Sequence, residues 1–151
     1  MQPRVLIFED NDTIRSTLKY ILEQRGYEVF TFPDPAMYPV YISVNHDCRL
    51  DHACADIIIS DVNMPTETGL EFTKKRQEKG CKIKYRALMS ADWTDSDLQT
   101  AQELGCRVFH KPFISEMLLW LDDCRKRIEP ERKLSYFFFK LRSDRPMSEK
   151  Q

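Results

Sequence analysis

Charge of one sign is what this chain most lacks. Its 151 residues hold 23 Lys and Arg against 24 Asp and Glu, a formal net charge of −1. A balance this close provides no basic field to draw the chain to nucleic acid or to an anionic membrane. Long hydrophobic runs are missing too, and no apolar stretch approaches the length of a membrane span. No export signal is expected either, since Met1-Gln2-Pro3-Arg4 leads straight into a short apolar run that Glu9-Asp10 ends too early. The expected compartment is therefore cytoplasmic. Finally, the five cysteines are an odd number, in a chain long enough to build its own core. A full disulfide framework is not expected, and the cysteines read as free, mostly buried thiols.

What is present is ordinary for one globular domain, with 42% hydrophobic and 31% charged residues. Residues 4 to 8 are apolar at every position, as in a parallel strand covered on both faces. Asn11 or Asp12 can cap the following helix, where Ile14, Leu18, Ile21 and Leu22 recur at helical spacing until Gly26. Short strands follow at 27–30, 57–60, 83–89 and 107–109. Helices are expected at 66–79, from Thr94 or Asp95 to Leu104, and from Ser115 to about Pro130. The thin apolar face of the 66–79 helix is Leu70 and Phe72, with Thr73 and the stem of Arg76 or Gln77. Strands alternating with helices predict a doubly wound α/β fold with a five-stranded parallel sheet. Ligands in such sheets sit beyond the carboxyl ends of the strands.

Polar residues gather at those ends. Glu9 and Asp10 close the first strand, Asp61 the third, Ser90 the fourth, and Lys111 follows the fifth. Three acids and one base, each where a strand runs out, suggest one site built around a divalent cation and a transferred phosphoryl group. Asp61 is the leading candidate for the chemistry.

This pattern resembles the receiver domain of bacterial two-component response regulators over about residues 3 to 128. The matching elements are Glu9-Asp10, Asp61, Met64-Pro65 with Gly69 four residues on, Ser90-Ala91, and Lys111-Pro112-Phe113. The resemblance implies a CheY-like, flavodoxin-like sheet in the order 2-1-3-4-5. It also implies Mg²⁺-dependent transfer of a phosphoryl group from a histidine kinase or histidine phosphotransfer protein onto Asp61. Glu9, Asp10, Asp61 and the backbone carbonyl of Asn63 would hold the metal. Lys111 and Ser90 would bind phosphoryl oxygens, and the small Ala91 would leave room for the donor. Such a chain is expected to phosphorylate itself from a donor and to lose the phosphate slowly, without turnover as an enzyme. It would switch a surface read by a downstream protein that the sequence does not name.

Two features depart from the family. The aromatic residue expected three positions before the lysine is replaced by Val108, with Phe109 one place later on the opposite face of the strand. The switch is therefore expected through Val108 or Phe109. The interval from the second to the third strand is also long, so residues 36–55 read as an insertion in a domain of residues 1–129. It contains His46, Cys48, His52 and Cys54, whose spacing is looser than the usual zinc pattern. They are read as loop residues, with Cys54 a candidate for the core. Residues 130–151 form a tail whose run Tyr136-Phe137-Phe138-Phe139 suits an arm packed on its own domain, or one that docks a partner or a second copy. The alternative function is a protein-interaction scaffold that is never phosphorylated. A haloacid-dehalogenase-like phosphatase would want a nucleophilic aspartate at the first strand with another two residues on. A flavin module would want a Ser/Thr-rich phosphate loop where Glu9-Asp10-Asn11-Asp12 stands.

Overall fold

The computed structural model describes residues 1–37, 51–111 and 114–135. Its strands are β1 (Arg4–Phe8), β2 (Glu28–Phe32), β3 (Ile57–Asp61), β4 (Tyr85–Ser90) and β5 (Arg107–His110), and its helices are α1 (Asp12–Gln24), α2 (Gly69–Glu78), α3 (Asp95–Glu103) and α4 (Ile114–Arg127). A single 3₁₀ turn, Pro35–Met37, follows β2. The expectations placed on residues 38–50 and on the aromatic run 136–139 lie outside the described residues, as do Pro112 and Phe113.

The sheet is parallel throughout, in the order β2-β1-β3-β4-β5. Alternation along the strands sends side chains to two faces. Val5, Ile7, Ile57, Ile59, Met89 and Phe109 pack with Leu18 and Leu22 of α1 and with Met117, Leu121 and Cys124 of α4. On the other face Leu6, Phe8 and Ile58 meet Phe72 of α2, while Leu88 and Val62 meet Leu70 and Ala101. Every residue of β1 and β3 is buried, as expected of central strands covered by helices on both sides.

The helix starts follow local chemistry. Asn11 caps α1 by accepting from the Ile14 N–H, and Thr94 caps α3 by accepting from the Asp97 N–H. The second predicted helix begins later than residue 66, because Thr68 and Glu71 form a reciprocal capping box. Its inward residues are Leu70, Phe72, Thr73 and Arg76. Strand β2 runs further than residue 30, since Thr31 and Phe32 pair with Ile7 and Phe8. Cys54 joins the core beside β1 and β3, whereas His52 is exposed.

Beyond α4 the chain turns back across the amino end of the sheet. The guanidinium of Arg132 donates to both oxygens of Asp56, at 2.8 and 2.6 Å. Asp56 also accepts from the Arg4 N–H, and Ser135 N–H donates to the Ala53 carbonyl. Arg4 itself reaches Glu28 and the carbonyls of Cys54 and Ser135. The segment just past α4 is thus fixed beside the starts of β1 and β3.

Candidate functional site

The strand order brings the carboxyl ends of β1, β3, β4 and β5 side by side, with Phe8 opposite Ser60, Asp61 opposite Met89 and Ser90 opposite His110. Residues immediately past these positions therefore share one rim. Glu9, Asp10 and Asp61 each place a carboxylate oxygen within 4.8 Å of the others. Lys111 reaches into the same cluster, with Nζ 2.7 Å from Glu9 Oε1 and 3.1 Å from Asp61 Oδ2.

Burial makes these charges matter. Glu9 is fully enclosed, Asp61 nearly so, and Asp10 is exposed at the rim. Glu9 is held by its own N–H donating to the Phe32 carbonyl and by Asn11 N–H donating to Oε2. The Arg15 side chain donates to the Glu9 carbonyl at 2.8 Å, steadying the turn into α1. For Lys111, burial alone would lower the pKa, but contact with Glu9 and Asp61 outweighs it and raises the ammonium above its ordinary value. Burial, then the hydrogen bond and charge of Glu9, raise the Asp10 carboxyl. Three carboxylates against one ammonium leave negative charge to be offset.

The loop after β3 is closed by short contacts. Val62 N–H donates to Met89 O, and Gly69 N–H donates to Val62 O at 2.8 Å. Asn63 N–H donates to Asp61 Oδ1 at 3.3 Å. Gly69 lies so close to the strand end that a Cβ there would be 2.2 Å from the Asp61 carbonyl oxygen. Ser90 is buried, and its hydroxyl accepts from the Asp92 N–H.

The donor set fits a hard divalent cation. It offers carboxylate oxygens, which suit Mg²⁺, rather than the nitrogen and sulfur ligands of zinc or copper sites. Of the residues singled out from the sequence, Glu9, Asp10, Asp61 and Lys111 meet directly, and Ser90 and Asn63 stand on the same rim. Val108 and Phe109 separate: Phe109 is buried on the α1–α4 face, and Val108 packs toward α3. Two residues near the site were not singled out from the sequence, Arg15 and Trp93. Arg15 stands one helical turn after Asn11 and three residues after Asp12, a charge spacing visible in the sequence. The Trp93 indole Nε1 donates to the Phe109 carbonyl at 2.9 Å. Its one sequence signal was an aromatic three residues past Ser90.

The family model described as the response regulator receiver domain matches residues 5–120. A probable transcriptional regulatory protein of Picosynechococcus sp. is 30% identical over 111 residues, 73% of this chain and 43% of its own length. The aerobic respiration control protein ArcA of Escherichia coli is 35% identical over 77 residues, 51% of this chain and 29% of its own. The chain thus spans less than half the length of these relatives. Among solved structures, the chemotaxis response regulator CheY4 of Vibrio cholerae matches with a TM-score of 0.63 and 30% identity, over 82% of this chain and 99% of that one. The N-terminal domain of a Wolinella succinogenes protein matches with a TM-score of 0.68 and 28% identity, over 83% and 95%. Five strands in this order, an acid-and-lysine rim at their carboxyl ends, and a family match over most of its length make this chain a member of the response regulator receiver domain family.

Proposed function

We propose that the chain accepts a phosphoryl group on Asp61 from a phosphohistidine and thereby switches a protein-binding surface. The observation that carries this reading is the convergence of the Asp61 carboxylate, the Lys111 ammonium and the two acids Glu9 and Asp10 on one rim. An Asp61 oxygen attacks phosphorus in line. The new O–P bond forms as the P–N bond of the donor breaks, and the imidazole leaves with the electron pair and takes up a proton.

Lys111 already lies against Asp61 and can follow charge from the carboxylate to the phosphoryl oxygens. Ser90 accepts through its oxygen and keeps its hydroxyl hydrogen for a phosphoryl oxygen. Glu9, Asp10, Asp61 and the Asn63 carbonyl are the residues that would hold Mg²⁺, which when bound supplies positive charge against carboxylates and phosphoryl oxygens together. The three acids Glu9, Asp10 and Asp61 with Lys111 and Ser90 argue against a scaffold that never carries phosphate.

The donor is a histidine kinase or a histidine phosphotransfer protein. An apolar cavity of about 180 Å³ beside Lys111, lined by Ile14, Leu18, Ile114 and Met117, offers such a protein a seat close to the acceptor. The reaction is one transfer per cycle, not enzymatic turnover on a free substrate. The surface it controls serves a protein target rather than nucleic acid or membrane, in keeping with the balanced charge and with the absence of a membrane-length apolar helix among the described residues.

The test is incubation with a small-molecule phosphodonor, with and without Mg²⁺, followed by intact mass, for wild type and Asp61→Asn together. A metal-dependent gain of one phosphate, absent in the variant, is expected. A wild type that gains none from the small donor or from a histidine kinase, while a control receiver does, would overturn the reading in favour of a scaffold.

A further inference from the structure

The two strand residues placed nearest to a switching role are both poorly suited to it. Phe109 is 1% exposed, with its ring edge-on to Trp120 at 5.7 Å and enclosed by the α1–α4 core. Turning it outward would empty a core site. Val108 faces the α3 side, carries no polar atom, and is branched at Cβ, which restricts its rotamers.

Trp93 has what both lack. It stands in the loop from β4 to α3, three residues past Ser90, and packs against the cluster of Leu88, Ala101 and Val108. Its Nε1–H donates to the carbonyl of Phe109 in β5. Its ring meets His110 edge-on, with centroids 6.4 Å apart. The chain between is short and tied at each end. Ser90 Oγ accepts from the Asp92 N–H at 3.1 Å, and Thr94 is already the cap of α3.

We propose that Trp93 is the residue through which a phosphoryl group on Asp61 is read at β5, in place of an aromatic side chain carried by the strand. This rests on the phosphoacceptor reading above. When the Ser90 hydroxyl donates to a phosphoryl oxygen, it still accepts from Asp92. Asp92 therefore follows Ser90, and Trp93 follows Asp92. A partly buried indole N–H needs a partner. It must draw the Phe109 carbonyl with it or give up that bond for solvent. Either way the surface formed by Trp93, Val108 and His110 changes shape when Asp61 is loaded. A protein that reads this receiver would then contact the loop after β4 and the outer edge of β5.

The chain has two tryptophans, so Trp120→Phe leaves Trp93 as the sole indole reporter in the full chain. Addition of Mg²⁺ and beryllofluoride, a phosphoryl mimic, is expected to shift its emission, and the same addition to Trp120→Phe with Asp61→Asn is expected to leave it unchanged. Trp93→Phe keeps an aromatic ring in the cluster and removes only the N–H donor. It should take up phosphate as wild type does, by intact mass, and lose the phosphate-induced amide shifts across Arg107–His110. A role in packing alone would change stability in both states and leave those shifts in place.

The relay is refuted if Trp93→Phe is phosphorylated and retains wild-type shifts at β5. It is equally refuted if Trp93 emission stays constant while mass shows phosphate on Asp61. A wild type that takes up no phosphate from any donor overturns the acceptor reading itself and the relay with it.

Discussion

Replacing Gly69 with alanine tests how the acceptor is held. A Cβ on Gly69 would lie 2.2 Å from the Asp61 carbonyl oxygen, 2.8 Å from Ser60 Oγ and 3.1 Å from the Asp61 carbonyl carbon. Two of these atoms are main chain and cannot swing away. The third is engaged, since Ser60 Oγ donates to the same Asp61 carbonyl. The loop must retreat by about 1 Å to reach ordinary van der Waals separation, and Gly69 N–H would then lose its bond to Val62 O. Overpacking of this kind costs about 1–3 kcal/mol, and the lost hydrogen bond adds about 1 kcal/mol. Gly69→Ala should therefore lower stability by about 2–4 kcal/mol in urea unfolding, and phosphate uptake should slow because the strain falls on the residue that carries the nucleophile. Gly80→Ala supplies the contrast: nothing lies within 4 Å of its Cβ, but φ is +79°. It should cost only the left-handed penalty of about 1–2 kcal/mol and leave uptake unchanged. A Gly69→Ala protein within about 0.5 kcal/mol of wild type, the range of an ordinary surface substitution, would show that the loop is not pressed against Asp61 as described.

Arg132→Met leaves the nearly buried Asp56 carboxylate with only the Arg4 N–H among its described partners. It should cost about 3 kcal/mol, and most of that should return when Asp56→Asn is added, as a double-mutant cycle in urea will show. Tyr27 is raised from 10.0 to about 12 by burial and by the neighbouring Asp122, to which its hydroxyl donates. The unfolded phenol ionises first, so the stability from this site is complete below pH 10 and is lost as pH climbs toward 12. The difference in urea midpoint between wild type and Tyr27→Phe should shrink over that window, and a constant difference would contradict the assignment. Burial pushes Cys106 and Cys124 up to about 11. Both should therefore resist a thiol reagent at neutral pH in the folded protein and react at once in denaturant, and prompt labelling of Cys124 in the native state would be the contrary result.

The parts of this molecule that could be read from the sequence are those governed by near neighbours. Apolar runs ending in Glu9-Asp10, Asp61 and Ser90 mark strands because both faces of a central strand are buried, and the residue after such a run falls on the rim. Asn11 and Thr94 could be named as caps because a cap acts on N–H groups two or three residues away. The start of α2 was legible but misplaced: only Thr68, not Thr66, stands three residues before Glu71, the capping-box spacing whose reciprocal bonds the structure shows. The length of β2 was misjudged because the partner strand β1, not its own composition, decides where pairing stops.

What stayed hidden depends on contacts between distant segments. Arg132 finds Asp56 across 76 positions, and Arg4 finds the Ser135 carbonyl across 131. Neither residue type predicts its partner, since a charge in sequence is more often solvated than buried. The chain to Ser135, just past the domain of residues 1–129 expected from the sequence, satisfies the buried Asp56 carboxylate and the Ala53 carbonyl ahead of β3. Truncation at 129 would leave Asp56 in the same position as Arg132→Met does, without the apolar replacement. Trp93 is a similar case. Three residues past Ser90 it is an unremarkable loop aromatic, and only the return of β5 beside β4 brings the Phe109 carbonyl within reach of the indole. The chemistry of phosphoryl transfer requires fixed residue types at strand ends and is therefore legible. The route by which the result reaches the surface requires only some two-position contact, which different residues can supply, so it becomes visible only once the strands are assembled.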